Sequence, residues 1–204
     1  MTLPRGFRAQ AEKEVLDLRE KLGLGVSDVV DLNAAAELFG VTVIDGGELV
    51  GVEPFAELNR LQQELFGAAL FEVSGRKFIV TNPGVTEARR RTDVAYQLAL
   101  VKLGQLPADT RQIGGLIFRV CPPFQEEQVL AYAGILLLPR DTMLSSAGRF
   151  VTSFDEIDPV RLARRQKVTA EMARFRLANS GYLSNNKRVN ASFADRHKLP
   201  IELR

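Results

Sequence analysis

The chain has 204 residues, 46% of them hydrophobic and 25% charged, with a formal net charge of +2. That is the composition of an ordinary globular protein with one good core and room for a small appendage. No apolar run approaches the roughly 20 residues of a membrane helix, the charged start MTLPRGFRAQAEKE lacks a signal-peptide core, and the lone Cys121 excludes an internal disulfide or a metal-binding Cys pair. These features point to a reducing cytoplasm.

Charge is uneven along the chain. Residues 149–204 carry 12 Lys/Arg against 6 Asp/Glu, and residues 1–148 carry 15 against 19. Such asymmetry reads as a solvated basic face or as an anion-binding tail.

In chain order, Phe7, Ala11, Val15, Leu18 and Leu22 recur at helical spacing and predict a helix over 6–22, ended by Gly23 and Gly25. Asp31 is an N-cap for a second helix, Leu32 to Leu38, closed by Gly40. Val41 to Ile44 reads as a buried strand, and Asp45-Gly46-Gly47 as a turn. Residues 55–66 suggest a short helix. Gly67 to Val73 and Arg76 to Val80 read as paired strands around a Ser74-Gly75 hairpin turn. Asn82-Pro83-Gly84 stops the second strand, and a helix follows from Thr86 to Leu103. Within 105–123 only Leu116 to Val120 suggests a strand. Glu126 to Leu138 is a strongly apolar helix ended by Pro139. Residues 140–156 read as a linker with one short helix, 156–183 as two helices around Gln166-Lys167-Val168, and 184–204 as a polar tail.

Four stretches, taken together, resemble the ImmA/IrrE-type metallo-endopeptidases. They are LPRGFRAQAEKEVLDLREKLGL (3–24), RKFIVTNPGVTEARRRTDVAYQL (76–98), EEQVLAYAGILLLP (126–139) and VTAEMARFRLANSGYL (168–183). The resemblance implies an α+β, zincin-like domain over about 1–148, with a small antiparallel or mixed sheet packed on helices. A helical, helix-turn-helix-like segment and tail follow over 149–204. It also implies a bacterial or phage regulator that acts on helix-turn-helix repressors.

The departures from that family are chemical. Its zinc sits on an H-E-x-x-H helix, where two imidazoles one turn apart hold the metal and the Glu activates water. Here the first His position is Tyr96, the general base Gln97, the second His Leu100, and the completing Glu Gln128. The chain's one histidine is His197, in the tail. An amide takes no proton at neutral pH, so Gln97 is no general base, and leucine has no lone pair. Glu126, Glu127 and Asp93 are the remaining carboxylates that an atypical metal site would use. The expectation is a silent peptidase homologue without metal or cofactor, with Val94, Leu98 and Val101 in the core and Tyr96, Gln97 and Leu100 facing the former cleft.

Two further surfaces are candidates. A peptidase groove holds an extended segment by strand addition, which needs backbone rather than metal; Leu70, Phe71, Glu72 and Val73 form the expected edge. Residues 157–179 have the length of a helix-turn-helix, with Lys167, Arg174 and Arg176 as phosphate-binding candidates. Glu171 opens the would-be recognition helix, and no base-reading Asn or Gln stands in its first turn. The run Arg89-Arg90-Arg91 reads as the solvated first turn of its helix or as an anion site. No phosphate-binding loop motif is present, and a Ser-His-Asp triad would rest on His197 alone.

Overall fold

The computed structural model describes residues 3–61, 67–105, 109–113, 116–120, 123–147 and 157–180. Its elements run α1 (Phe7–Lys21), α2 (Leu32–Leu38), β1 (Val41–Asp45), α3 (Gly46–Val50), α4 (Glu53–Leu61), β2 (Ala68–Val73), β3 (Arg76–Thr81) and α5 (Glu87–Lys102). Then follow β4 (Asp109–Ile113), β5 (Leu116–Val120), α6 (Pro123–Leu137), α7 (Arg140–Ala147), α8 (Pro159–Gln166) and α9 (Ala170–Ala178). The class is α+β, as expected.

The helices start where side chains satisfy their first amides. The Asp31 carboxylate accepts from Asn33 N at 2.9 Å and Ala34 N at 3.2 Å. The hydroxyl oxygens of Thr86 and Thr169 do the same for Arg89 N at 3.3 Å and Met172 N at 3.1 Å.

The main sheet has the order β1-β3-β2, with β3 central. β1 runs parallel to β3, from Val41 opposite Lys77 to Asp45 opposite Thr81. β2 runs antiparallel to β3, from Ala68 opposite Thr81 to Val73 opposite Arg76. Ser74 (φ 51°) and Gly75 (φ 76°) are both left-handed, as a two-residue type I′ turn requires. A parallel pair cannot be closed by a tight turn; α3, α4 and β2 lie between β1 and β3.

α6 lies at the centre of the core. Val129 to Ala133 and Ile135 to Leu138 are all buried, so its apolar character on every side has a partner on every side. α1, α5 and α9 pack against it. Buried residues of 157–177 (Ile157, Leu162, Ala163, Val168, Met172, Ala173, Leu177) belong to the same hydrophobic cluster as α1 and α5.

Four local expectations are corrected. Asp45-Gly46-Gly47 is a helix start rather than a turn: Asp45 Oδ1 accepts from Gly47 N at 2.7 Å. Gly46 is required there because a Cβ would stand 2.3 Å from the Phe55 ring and 2.5 Å from Thr81 O. The strand at Leu116–Val120 has a partner the sequence hid, β4, in an antiparallel hairpin from Asp109 opposite Val120 to Ile113 opposite Leu116. α6 begins three residues early, at Pro123, where the missing N–H costs nothing. The arginine run is not a solvated turn. Arg91 is half-buried and donates to Val30 O at 2.8 Å, and burial lowers its pKa against the opposing pull of Glu87 and Asp31. The expected tail, with His197, and Cys121 lie outside the described residues.

Candidate functional site

Arg89, Asp93 and Gln97 recur at four-residue steps and so share one face of α5. That face meets the start of β2. Asp93 Oδ2 accepts from Arg89 Nε at 3.0 Å and from Gly67 N at 2.6 Å. One turn further on, Gln97 Nε2 donates to Ala68 O at 3.2 Å. A Cβ at Gly67 would fall 2.8 Å from Asp93 Oδ2, so only glycine lets strand and helix approach this closely. Asp93 Oδ1 is buried without a hydrogen-bond partner, a cost the Arg89 ion pair offsets.

The same corner is held from the other side by Asn82, which is completely buried. Its N–H donates to Gly67 O at 2.9 Å, its Oδ1 accepts from Gly84 N at 2.8 Å, and its Nδ2 donates to Asn59 Oδ1 at 3.2 Å. A Cβ at Gly84 would meet Asn59 Nδ2 at 2.2 Å. In the sequence Asn82-Pro83-Gly84 reads only as a stop signal. Nothing there marks Asn82 as the knot between α4, β2 and β3.

The Asn82–Gly67 bond also fixes the phase of the β2 edge. Antiparallel pairs alternate between hydrogen-bonded and open. With Gly67 opposite Asn82 hydrogen-bonded, the bonded pairs continue at Ala69–Val80, Phe71–Phe78 and Val73–Arg76. Ala68, Leu70 and Glu72 therefore turn their backbone groups away from β3. The Gln97 bond to Ala68 O agrees with that phase. Among the described residues no strand covers this side of β2. Leu70 is half-buried, while Phe71, Glu72 and Val73 are exposed.

The four degenerate positions are not brought together as a ligand set. Leu100 is 3% exposed and belongs to the core with Val94 and Leu98; it does not face an open cleft as its spacing suggested. Tyr96 is half-buried and packs against that core. Gln128 is buried, and its Oε1 accepts from Gln105 Nε2. Glu126 and Glu127 are half-buried at the start of α6, and Asp93 is committed to Arg89 and Gly67. No group of three or more His, Cys, Asp or Glu among the described residues is arranged to hold a metal ion. A catalytic zinc needs three protein ligands and an open position for water. These residues do not fit it.

α8 and α9 flank the expected turn, with Lys167 left-handed (φ 53°) there and Val168 buried. The expected phosphate contacts are corrected in part. Arg176 is 3% exposed and donates through Nε to Leu138 O at 2.9 Å, while its Nη2 pairs with Glu12. Burial lowers its pKa and Glu12 opposes that shift. Arg176 is a packing element and not a phosphate ligand. Lys167 is exposed but pairs with Glu87 at 3.2 Å, and Arg174 is exposed. The exposed cations of α8 that sequence reasoning passed over are Arg161, Arg164 and Arg165. The run PVRLARRQ carries them without an acid between, which was the available signal.

Residues 57–178 match the sequence model of the IrrE N-terminal-like domain. The chain belongs to that family. The match runs from α4 through α9 and so includes the α5 face, the β2 edge and α8–α9. The IrrE-like chain is also similar in fold to a solved Mycobacterium tuberculosis transcriptional regulator. The TM-score is 0.55 at 18% identity, over 91% of this chain and 50% of that one. It thus spans half the length of that regulator, and the likeness at this identity concerns the fold. No curated protein matches the chain. No helix among the described residues is long and apolar enough to cross a membrane.

Proposed function

We propose that this member of a metallopeptidase-like family is catalytically silent and acts by binding a protein partner. The partner we infer is a helix-turn-helix repressor of a stress response or mobile element. The observation that carries the reading is the fate of the general-base position: Gln97 is an amide, and it is hydrogen-bonded to the edge of β2 at 3.2 Å. Peptide hydrolysis needs a base there that takes a proton from water. The family places the chain among peptidase-like domains, and the open β2 edge supplies the backbone groups by which an extended segment is held without being cut.

Autonomous DNA binding and an atypical metal site have less support. Arg176 is buried, and the described carboxylates form no metal cluster.

The test mixes the purified chain, with and without added zinc, with each helix-turn-helix regulator encoded beside its gene. A stoichiometric complex on size exclusion, with the regulator intact, is expected. Cleavage of the regulator, or one bound zinc by elemental analysis that is lost in a Glu126→Ala, Glu127→Ala variant, ends the silent reading. Failure of every such regulator to form a complex ends the binding one.

A further inference from the structure

Three features bear on binding: the basic face of α8, the exposed apolar residues Leu49, Val50 and Val52, and the contact between Gln97 and β2. The last has consequences for a ligand. It takes one of the backbone groups that an added strand would use.

The geometry points to Gln97 as a lock on the β2 edge that shortens the register open to a docking segment and selects a basic residue within it. This rests on the strand-docking reading above. The outward backbone groups of β2 belong to Ala68, Leu70 and Glu72. The Ala68 carbonyl already accepts from Gln97 Nε2, so an incoming strand finds, among the described residues, Leu70 and Glu72 open and the Ala68 carbonyl taken. An ionised Glu at 97 has no hydrogen to give that carbonyl. The amide that removes the base is therefore also what closes the edge.

The occupant is an extended segment that runs antiparallel to β2 with a Lys or Arg opposite Glu72. Glu72 is the one charge on AALFEV and is exposed. On its inner side it already stands opposite Lys77 of β3. Opposite charges on directly facing residues stabilise a pair and like charges oppose it. The complement of β2 is thus written in this chain: β3 itself reads RKFIVT and places Lys opposite Glu72, Ile opposite Leu70 and Thr opposite Ala68.

A capped, fluorescent RKFIVT peptide is the probe, with anisotropy of the full chain as the readout. Wild type is expected to bind RKFIVT and RKFIV equally, because the Thr position meets a closed carbonyl. Gln97→Met keeps the length and removes the donor; it should bind RKFIVT about two- to tenfold more tightly than RKFIV, the worth of an added backbone hydrogen bond. Gln97→Asn, whose amide is too short to reach, should behave like Gln97→Met and guards against a variant that misfolds. Glu72→Lys should weaken RKFIVT by up to about fivefold, and 0.5 M salt should shrink that difference. If RKFIVT binds, but both Gln97 variants still fail to distinguish the two peptides, the lock is wrong and the docking edge stands. If neither wild type nor the variants bind either peptide, the β2-edge reading falls and the lock goes with it.

Discussion

The α5 face against β2 and the junction under α9 are both polar places in an apolar scaffold, and they are satisfied by different chemistry. On α5 a neutral amide reaches Ala68 O, and a carboxylate paired with Arg89 reaches Gly67 N. Under α9 a guanidinium is sealed in: Arg176 ties Leu138 O to Glu12, and a second Glu12 oxygen accepts from Arg140 N at 3.1 Å. The two side chains together join α1, the end of α6, the start of α7 and α9. A neutral hydrogen bond is worth little net and is cheap to remove, whereas breaking a buried ionic knot strands charge in the core. The Gln97 contact can therefore change without loss of the fold, whereas the Arg176–Glu12 junction, like the Arg89–Asp93 pair beside Gln97, cannot.

The sharpest contrast lies within α9. Arg176→Met is expected to cost about 2–4 kcal/mol, because the Leu138 carbonyl loses its side-chain donor and the partly buried Glu12 carboxylate keeps only Arg140 N. Arg174→Met, two residues away and exposed, should stay within about 0.5 kcal/mol of wild type. Urea denaturation of both variants decides it. Similar midpoints would mean that Arg176 is not the tie described and would return it to the list of phosphate contacts.

A second prediction concerns the lost ligand position. Leu100→His puts an imidazole where the resemblance places the family's second metal ligand, at a position that is core here. A cost of about 2–5 kcal/mol follows from the lost packing and the buried polar ring. A thermal melt unchanged from wild type would show that residue 100 lines an accessible cleft and that zinc titration of ligand-restoring variants is worth pursuing. The neutral side of the comparison gives a smaller number: Gln97→Met should cost only about 0.5–1.5 kcal/mol, and a loss as large as that of Arg176→Met would remove the distinction between the two regions.

Much of this architecture was legible because it is local. The Ser74-Gly75 turn, the Asp31 and Thr86 caps and the apolar run of α6 each act within a few residues, and each predicted its element. The resemblance alone names Tyr96, Gln97, Leu100 and Gln128 as the former ligand and base positions, by the spacing of the family's motif. What was hidden depends on distant partners. Arg176 in the sequence is another cation on a basic segment, and only Glu12, 164 residues away, makes it a core residue. Gly46 reads as turn punctuation until Phe55 and Thr81 close on it. β4 has the polar sequence DTRQI and is a strand through β5. Asn82 reads as a strand stop, because its role is set by Asn59, Gly67 and Gly84 together.

The smallest effect expected is on a third polar cluster, between the neutral and sealed extremes. Glu14 of α1 accepts from Gln10 Nε2 at 2.9 Å and pairs with Lys102 of α5 at 3.2 Å. Its pKa is lowered, first by the Gln10 bond and then by Lys102 and the buried Tyr132 hydroxyl, against an opposing contribution from burial. Burial pushes the Tyr132 phenol well above its ordinary value, with Glu14 adding to the shift, so Tyr132 remains a donor at neutral pH. A folded-state pKa below the unfolded one means that the carboxylate stabilises the fold above its ordinary value of 4.5 and that this contribution is lost as pH falls through the folded pKa. The side chain is 30% exposed, so solvent screening keeps the term under about 1 kcal/mol. Glu14→Gln should accordingly lower Tm slightly at pH about 7 and leave it nearly equal to wild type at pH about 3. A gap that stays constant or widens toward acid would mean that Glu14 serves as a packing group, and that α1 and α5 are joined there by shape rather than by charge.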